Sequence, residues 1–339
     1  REDGSRNKYR LVRLKDKMGS KSMASGEIIF EGATVYPLGE VGPHANRGLK
    51  MMMDQVNMSR LSHGVRAAAM MRRCLNESLA VAGYRRAFGG KLIEKPLLRR
   101  QLMKLIVPTE QALSLYLYTA KMMEAGDAGD EHAARQTRIL TPLLKYRTAR
   151  DNVKVATGAM EIRGGNGYIE DWVNPRLVRD AHLGVLWEGT SNINSLDIVN
   201  RAVAKVGAHE DLGQSLTQML EEERDMPGQF GGQLKGLVEQ AVKFADTVAK
   251  EGRETMARKA STALFHVTTA SLMATEGAKL GSAGGDARRL LLARMITDHK
   301  LDQGNPLAAD SGQFDDEATD RLLDSASVSL EDARKVLTL

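Results

Sequence analysis

Three long stretches of helical periodicity limit what this chain can fold into. Apolar side chains recur at spacings of three and four over residues 48–84, 96–125 and 130–162, with Pro96 at the start of the second stretch and Gly164 after the third. Helices of this length bury their apolar faces most simply against each other, as antiparallel neighbours. The pattern therefore predicts a mostly α-helical chain built around a bundle of long helices.

The first forty residues depart from this pattern. Residues 8–14 and 26–38 carry β-branched and aromatic side chains in partial alternation with polar ones, which predicts two strands. Two strands alone do not make a stable sheet. Either partner strands precede Arg1, or this piece is poorly supported, and we interpret the chain as a fragment of a longer protein.

The last third of the chain continues the helical pattern beyond the bundle. Helices are predicted over 210–224, 231–251, 254–280 and 284–300, with Gly-rich segments between them. Together these patterns predict three parts: the C-terminal part of a β-domain at 1–42, a helical-bundle domain at 43–204, and a helical extension at 205–339.

Composition excludes several classes of protein. Hydrophobic residues make up 42% of the chain and charged residues 27%, as in a globular domain. No apolar run approaches the length of about 20 residues that a membrane helix needs.

The single cysteine, Cys74, lies in a helical pattern and is interpreted as a buried structural thiol, so a reducing, cytoplasmic setting is expected. The seven histidines show no metal-binding spacing, and we predict no metal site.

Charge is distributed unevenly along the chain. Residues 205–339 hold 16 basic against 22 acidic residues, or −6, whereas residues 1–204 hold 32 against 21, or +11. The basic part is suited to an anionic ligand such as a nucleotide or coenzyme A, and a solvated surface of no special purpose is an equally good account.

The segment LWEGTSNI, residues 186–193, centres on Glu188. A carboxyl group buried beside Trp187 is disfavoured in its charged form and becomes a usable base near neutral pH. Gly189 lets the backbone approach a ligand closely. The structural alternative is that Thr190 or Ser191 caps the following helix while Glu188 complements its dipole.

Two further segments are suited to binding phosphate or an aromatic ring. In YRRAFGGKLI, residues 84–93, Arg85 offers a bidentate donor and Phe88 a stacking face, although a basic surface with one anchoring aromatic is the alternative. GGNG, residues 164–167, exposes backbone N–H groups, but a plain helix C-cap and turn is the favoured explanation from the residues alone.

Two arginines lie within otherwise apolar helical stretches. Arg60 and Arg179 could each meet an anionic substrate or a buried carboxylate, and the structural pair is the more common case.

In their order along the chain, five segments resemble the acyl-CoA dehydrogenase superfamily. They are MGSKSMASGEIIFEGATV, NMSRL, RRAFGGKLI, MEIRGGNGYIEDW and RLVRDAHLGVLWEGTSNI, and the resemblance covers roughly residues 8–205. The first and last of them, with the long C-terminal extension, look most like the AidB-like branch, which includes dehydrogenases similar to the 3-methylmercaptopropionyl-CoA enzyme. The resemblance implies the family's partial β-domain followed by its C-terminal four-helix bundle.

The resemblance assigns roles to individual residues. Glu188 matches the family's catalytic base. The positions that match FAD contacts, some of them reaching the flavin of a neighbouring subunit, are Arg85, Phe88, Glu161, Gly164, Gly165, Thr190, Ser191 and Asn192. The substrate contacts implied are Asn57, Arg60 and Gly189.

This sequence departs from the family pattern at four of its positions. Glu161 and Asn192 stand where relatives commonly have Gln, and Asn57 where they often have Asp; Pro96 replaces a polar FAD-contacting residue. The family's N-terminal helical domain and first β-domain strands have no counterpart in this sequence, so the chain by itself is expected to be inactive.

By resemblance, the function is FAD-dependent α,β-dehydrogenation of an acyl-CoA thioester to a trans-2-enoyl-CoA. Electrons pass to an electron-transfer flavoprotein, and the cross-subunit flavin contacts imply a homodimer or homotetramer.

Three other functions remain open. The first is an AidB-like flavoprotein that binds DNA with little dehydrogenase activity, which the acidic extension disfavours because DNA binding depends on neutralising phosphates. The second is a related acyl-CoA oxidase or flavin monooxygenase. The third is a helical assembly module that has lost its cofactor.

Overall fold

A computed structural model describes residues 1–37, 48–304 and 312–339. Its centre is a set of three long helices packed side by side, α1 (Gly48–Tyr84), α2 (Pro96–Asp127) and α3 (Glu131–Arg163). Each begins and ends within two residues of the predicted bounds, because Pro96 opens α2 and Gly164 ends α3 with a backbone φ of +74°. The prediction of a mostly α-helical chain is confirmed.

The two predicted strands pair as an antiparallel hairpin, β1 (Tyr9–Leu14) and β2 (Gly26–Phe30), with Tyr9 opposite Phe30. The second strand was predicted too long. It ends at Phe30 because Gly32, with a φ of +71°, turns the chain out of the extended conformation. The last predicted strand position, 38, lies outside the described residues.

Short elements connect the long helices to the rest of the chain. The strands β3 (Arg86–Ala87) and β4 (Gly90–Lys91) form a small hairpin between α1 and α2. After α3 come the 3-10 turn Gly164–Tyr168, α4 (Asn174–Gly184), α5 (Ser191–Asp197) and a π-helical segment, Ile198–Val203. The backbone N–H of Ser20 donates to the Asp180 carboxylate at 2.5 Å, which attaches the turn between β1 and β2 to α4.

The described part of the chain after residue 204 is mostly helical, as predicted. Its elements are α6 (Ala208–Glu222), α7 (Gly228–Lys250), the 3-10 turn Glu254–Met256, α8 (Ala257–Ser282), α9 (Arg288–Ile296), the π-helical segment Thr297–Leu301, α10 (Gln313–Leu323) and α11 (Leu330–Leu337). Within the described ranges, none of the helices is both long enough and apolar enough to cross a membrane.

Two apolar cores hold the helices together, and both include residues from either side of position 204. In one, Leu102 of α2 lies with Leu290 of α9; in the other, Leu143 of α3 lies with Leu212 and Phe265 of the later helices. The C-terminal helices are thus packed onto the long helices. The predicted division at 204/205 stays a prediction, and the one at 42/43 lies outside the described residues.

Candidate active site

The connection between α4 and α5 presents Glu188 in an unusual backbone conformation. Glu188 has a φ of +53° and Gly189 a φ of +93°. The first is costly for a residue with a side chain and persists only where the surroundings impose it. Here the side-chain amide of Asn194 donates to the carbonyl oxygens of Gly189 at 2.7 Å and Thr190 at 3.0 Å, so the turn is tied to the first turn of α5.

The carboxylate of Glu188 is half-buried and is held by α1. The hydroxyl of Ser59 donates to Oε1 of Glu188 at 2.7 Å. In contrast, the backbone N–H of Glu188 donates to no residue of the described ranges. Glu188 therefore offers a fixed proton acceptor and a free backbone donor from the same residue.

Lys145 of α3 lies beneath this turn with only 1% of its surface exposed, and its ammonium group donates to the carbonyl oxygen of Gly189. Burial lowers the pKa of Lys145 to about 8; the charge of Arg60 adds to this shift and the carboxylate of Glu188 opposes it. Because a buried ammonium group costs free energy unless it is hydrogen-bonded, this contact stabilises Lys145 and holds the turn at Gly189. Lys145 was not among the predicted site residues, although a lysine within the apolar run LTPLLKY is a signal of a buried charge.

His63 was also missed, and it packs against the same turn. Its ring meets Trp187 edge to face, with the ring centroids 5.4 Å apart. Burial lowers the pKa of His63, whereas the carboxylate of Glu188 opposes that shift. The imidazole is therefore neutral near pH 7 and adds an uncharged wall beside the carboxylate.

The predicted substrate contacts on α1, Arg60 and Asn57, are hydrogen-bonded to other residues of the chain. Arg60 is 4% exposed and donates to Asp197 at 2.7 Å, and Arg138 donates to the same carboxylate at 2.5 Å. The geometry favours the buried-carboxylate alternative for Arg60. Asn57 is half-buried and accepts a long hydrogen bond, 3.4 Å, from Thr141.

Residues at the start of α5 were predicted to contact FAD or cap the helix. Thr190 occupies the capping position, but its side chain makes no capping hydrogen bond. Ser191 accepts from Arg150 at 3.3 Å, and the exposed Asn192 lies one residue further along. Thr190 and Asn192 are exposed and Ser191 is half-buried.

A second predicted group comes together at the far end of the long helices. Arg85 donates to the carbonyl oxygen of Arg163 at 3.3 Å, and a Cβ on Gly164 would lie 3.1 Å from its guanidinium. Phe88 is 89% exposed with a φ of +51°, and Gly165 has open space where a side chain would be. The cluster thus joins one guanidinium, one exposed ring and an accessible backbone.

Of three other predicted residues, Glu161 adjoins the second group, because its carbonyl oxygen accepts from the backbone N–H of Gly164, whereas Arg179 and Cys74 have other surroundings. Glu161 is exposed and accepts from Gln101 of α2 at 2.9 Å. Arg179 pairs with the exposed Glu170 at 2.6 Å, so its partner is a surface carboxylate. Cys74 is fully buried, and burial raises the pKa of its thiol to about 12, which agrees with a structural role. Among the described residues, no His, Cys, Asp and Glu cluster is suited to a metal ion.

Comparison with known proteins adds to this geometry. The acyl-CoA dehydrogenase C-terminal domain matches residues 46–204. AidB of Escherichia coli is 30% identical over 74% of this chain and 44% of its own length. The 3-methylmercaptopropionyl-CoA dehydrogenase of Ruegeria pomeroyi is 28% identical over 61% of this chain and 37% of its own length. The chain thus spans less than half the length of these relatives.

A solved structure, that of Caenorhabditis elegans ACDH-11 in complex with C11-CoA, superimposes with a TM-score of 0.80 at 25% sequence identity. The match covers 89% of this chain and 52% of that one, so the likeness includes helices of the C-terminal extension as well as the bundle.

Proposed function

Because this chain carries the C-terminal domain of the acyl-CoA dehydrogenase superfamily and is similar to its AidB-like branch, we propose that it supplies the catalytic base of an FAD-dependent acyl-CoA dehydrogenase. The reaction removes the α-proton and a β-hydride from an acyl-CoA thioester and leaves a trans-2-enoyl-CoA. Glu188 is the base, and its conformation is the observation that carries the proposal.

The chemistry requires two things of the residue at this position. The α-proton of a thioester is too weakly acidic for a carboxylate in water, so the negative charge that develops on the thioester oxygen must be stabilised as the proton leaves. The carboxylate of Glu188 accepts the proton. The backbone N–H of the same residue, which has no acceptor among the described residues, is a donor suited to that oxygen. The left-handed φ of Glu188 presents both groups from one residue.

Several residues fit a bound FAD. The guanidinium of Arg85 lies against Gly164. A dinucleotide can approach the glycine backbone closely at this point and accept hydrogen bonds from the guanidinium. Phe88 holds an exposed ring out from the β3–β4 hairpin and offers a stacking face for an adenine. When bound, FAD supplies the acceptor for the hydride from the β-carbon.

The substrate class follows from the same similarity. ACDH-11 was solved with C11-CoA, and residues 1–204 of this chain carry a net charge of +11, which suits the phosphates of coenzyme A. We extend the proposal to an electron-transfer flavoprotein as the electron acceptor and to at least a homodimer, in which Arg85, Phe88 and Glu161 face the flavin of a neighbouring subunit.

The test is the substitution Glu188→Gln in the full-length protein that contains this chain. The variant keeps the size of the side chain and removes the basic oxygen, so we expect flavin and acyl-CoA binding to persist while bleaching of the flavin absorbance by acyl-CoA is lost. Glu170→Gln, which neutralises an exposed carboxylate, is the matched control and retains bleaching. Near-normal turnover in Glu188→Gln would refute the assignment.

The same samples separate a dehydrogenase from an oxidase. In a dehydrogenase, reduced flavin with bound product reacts slowly with oxygen and is reoxidised by an electron-transfer flavoprotein. Rapid reoxidation by dissolved oxygen would assign the chain to the oxidase or monooxygenase alternative instead.

A further inference from the structure

A large cavity of this chain lies away from Glu188. It has a volume of about 1030 Å³ and lies between α2 and α3 on one side and α8, α9 and α10 on the other. Its wall on α3 includes Arg147, only two residues from Lys145. Two residues correspond to a turn of about 200° around a helix, so α3 separates this cavity from the turn that holds Glu188.

The cavity wall carries more positive than negative charge, and its carboxylates are already paired. Asp151 binds Arg147 at 2.6 Å, and Asp315 binds Arg100 at 3.3 Å and His299 at 2.9 Å. The third carboxylate, Glu161, accepts from the amide of Gln101.

Three exposed lysines at the edge of the cavity have no ionic partner among the described residues: Lys104, Lys154 and Lys300. They repel one another. Although Lys300 is exposed, partial desolvation against the cavity wall lowers its pKa; Asp151 opposes the shift, and the charges of Lys154, Arg147 and Lys104 add to it. Cations gathered in a cleft with low-dielectric walls concentrate anions there, and an anion would relieve their repulsion.

Beneath these charges the cavity has an apolar floor. Met103, Leu105 and Val107 of α2 and Met295 of α9 line it, all of them buried. An apolar pocket with a few convergent polar groups, at the upper end of the usual size range, is typical of a small-molecule site.

We propose that this cavity binds an organic phosphate, with its phosphoryl group among Lys104, Lys154 and Lys300 and its apolar body on the floor of Met103, Val107 and Met295. Ammonium groups are point donors suited to phosphoryl oxygens, and three of them match a group with more than one negative charge better than they match a single carboxylate. Because residues of α2 and α3 line one wall and the Thr297–Leu301 segment and α10 the other, a ligand here would join the long helices to the C-terminal ones.

The proposal is tested by calorimetric titration of the 339-residue chain at constant ionic strength, with inorganic phosphate and phenyl phosphate as probes. We expect both to bind, phenyl phosphate more tightly because its ring reaches the apolar floor. In the double variant Lys104→Gln/Lys300→Gln, the affinity for phenyl phosphate should fall about tenfold or more. The matched control Lys243→Gln/Lys279→Gln removes two exposed lysines elsewhere and keeps the affinity.

Thermal unfolding without ligand separates a binding role from a structural one. Since neutralising mutually repelling lysines removes an unfavourable interaction, the double variant should melt at the same temperature as the parent or higher. A lower melting temperature, equal binding by parent and double variant, or no binding of either probe at about 10 mM would overturn the proposal. Equal affinity for the two probes would overturn the part assigned to the apolar floor.

Discussion

The hydroxyl of Ser59 donates a 2.7 Å hydrogen bond to the carboxylate of Glu188, although 129 residues separate the two along the chain. This bond joins α1 to the turn before α5. Replacing Ser59 by Ala removes the donor and keeps the helix, so we expect the free energy of unfolding to fall by about 1 kcal/mol. Urea unfolding of the 339-residue chain measures this difference.

Ser62 provides the control for that substitution. It lies three residues further along α1, is exposed, and makes no side-chain hydrogen bond with a described residue. Ser62→Ala makes the same chemical change in the same helix and should alter stability by less than about 0.5 kcal/mol. Equal effects of the two substitutions would show that the bond to Glu188 contributes nothing.

Lys145 should make stability depend on pH in the alkaline range. Its pKa is lowered to about 8 in the folded chain, from 10.5. The folded state therefore binds fewer protons than the unfolded state between these values, and stability rises with pH there. The penalty of the buried charge is fully present below pH 8, and up to about 3 kcal/mol of it is relieved as pH approaches 10.5.

The substitution Lys145→Met isolates this contribution. Unfolding free energies of parent and variant, measured from pH 7 to pH 10.5, should show a gain in the parent that the variant lacks. Lys121→Met, at an exposed position on α2, should leave the pH dependence of the parent unchanged. A pH-independent difference between parent and Lys145→Met would mean that the buried lysine does not titrate in this range.

The long helices were predictable because their signals are local. Apolar spacing defines each helix, and the residues that begin and end them, such as Pro96 and Gly164, act through their own backbone conformation. The end of β2 was not predicted, because the apolar residues after Gly32 look like a strand whether or not a partner strand lies beside them.

The candidate site was predictable in part for the same reason. Glu188 and Gly189 stand in one contiguous motif, whereas Ser59, His63 and Lys145 come from two separate helices. Their roles depend on how α1 and α3 pack against the turn, and no spacing within a single segment encodes this. A lone serine or lysine in a helical pattern has many equally good interpretations until its neighbours are known.

The buried group of Arg60, Arg138 and Asp197 should respond strongly to loss of its carboxylate. Burial alone would raise the pKa of Asp197, but Arg138 and Arg60 outweigh it and hold the pKa below its ordinary value. The stability that this shift contributes is present above about pH 4 and is lost as pH falls further. Asp197→Asn leaves both arginines without their anion, and we expect a loss of about 3 kcal/mol or more at pH 7.

Comparison with an exposed pair tests whether burial is the reason. Glu331 and Lys335 form an ion pair on α11 with both side chains more than 60% exposed. Glu331→Gln should therefore cost less than about 0.5 kcal/mol in the same urea titration at pH 7. Below pH 4, the difference between parent and Asp197→Asn should shrink; a constant difference would exclude titration of Asp197 as its source.

Gly167 and Gly165 in the turn after α3 should respond differently to a methyl group. A Cβ on Gly167 would lie 2.2 Å from the carbonyl oxygen of Met160, which belongs to the backbone of α3 and has no flexible end to move aside. A Cβ on Gly165 would meet no heavy atom within 4 Å. We expect Gly167→Ala to lower the free energy of unfolding by about 2 kcal/mol or more and Gly165→Ala to be close to neutral.

Because this turn also belongs to the proposed flavin site, Gly167→Ala in the full-length protein should weaken FAD retention on a desalting column. A stable Gly167→Ala chain would show that the turn has room to shift away from Met160.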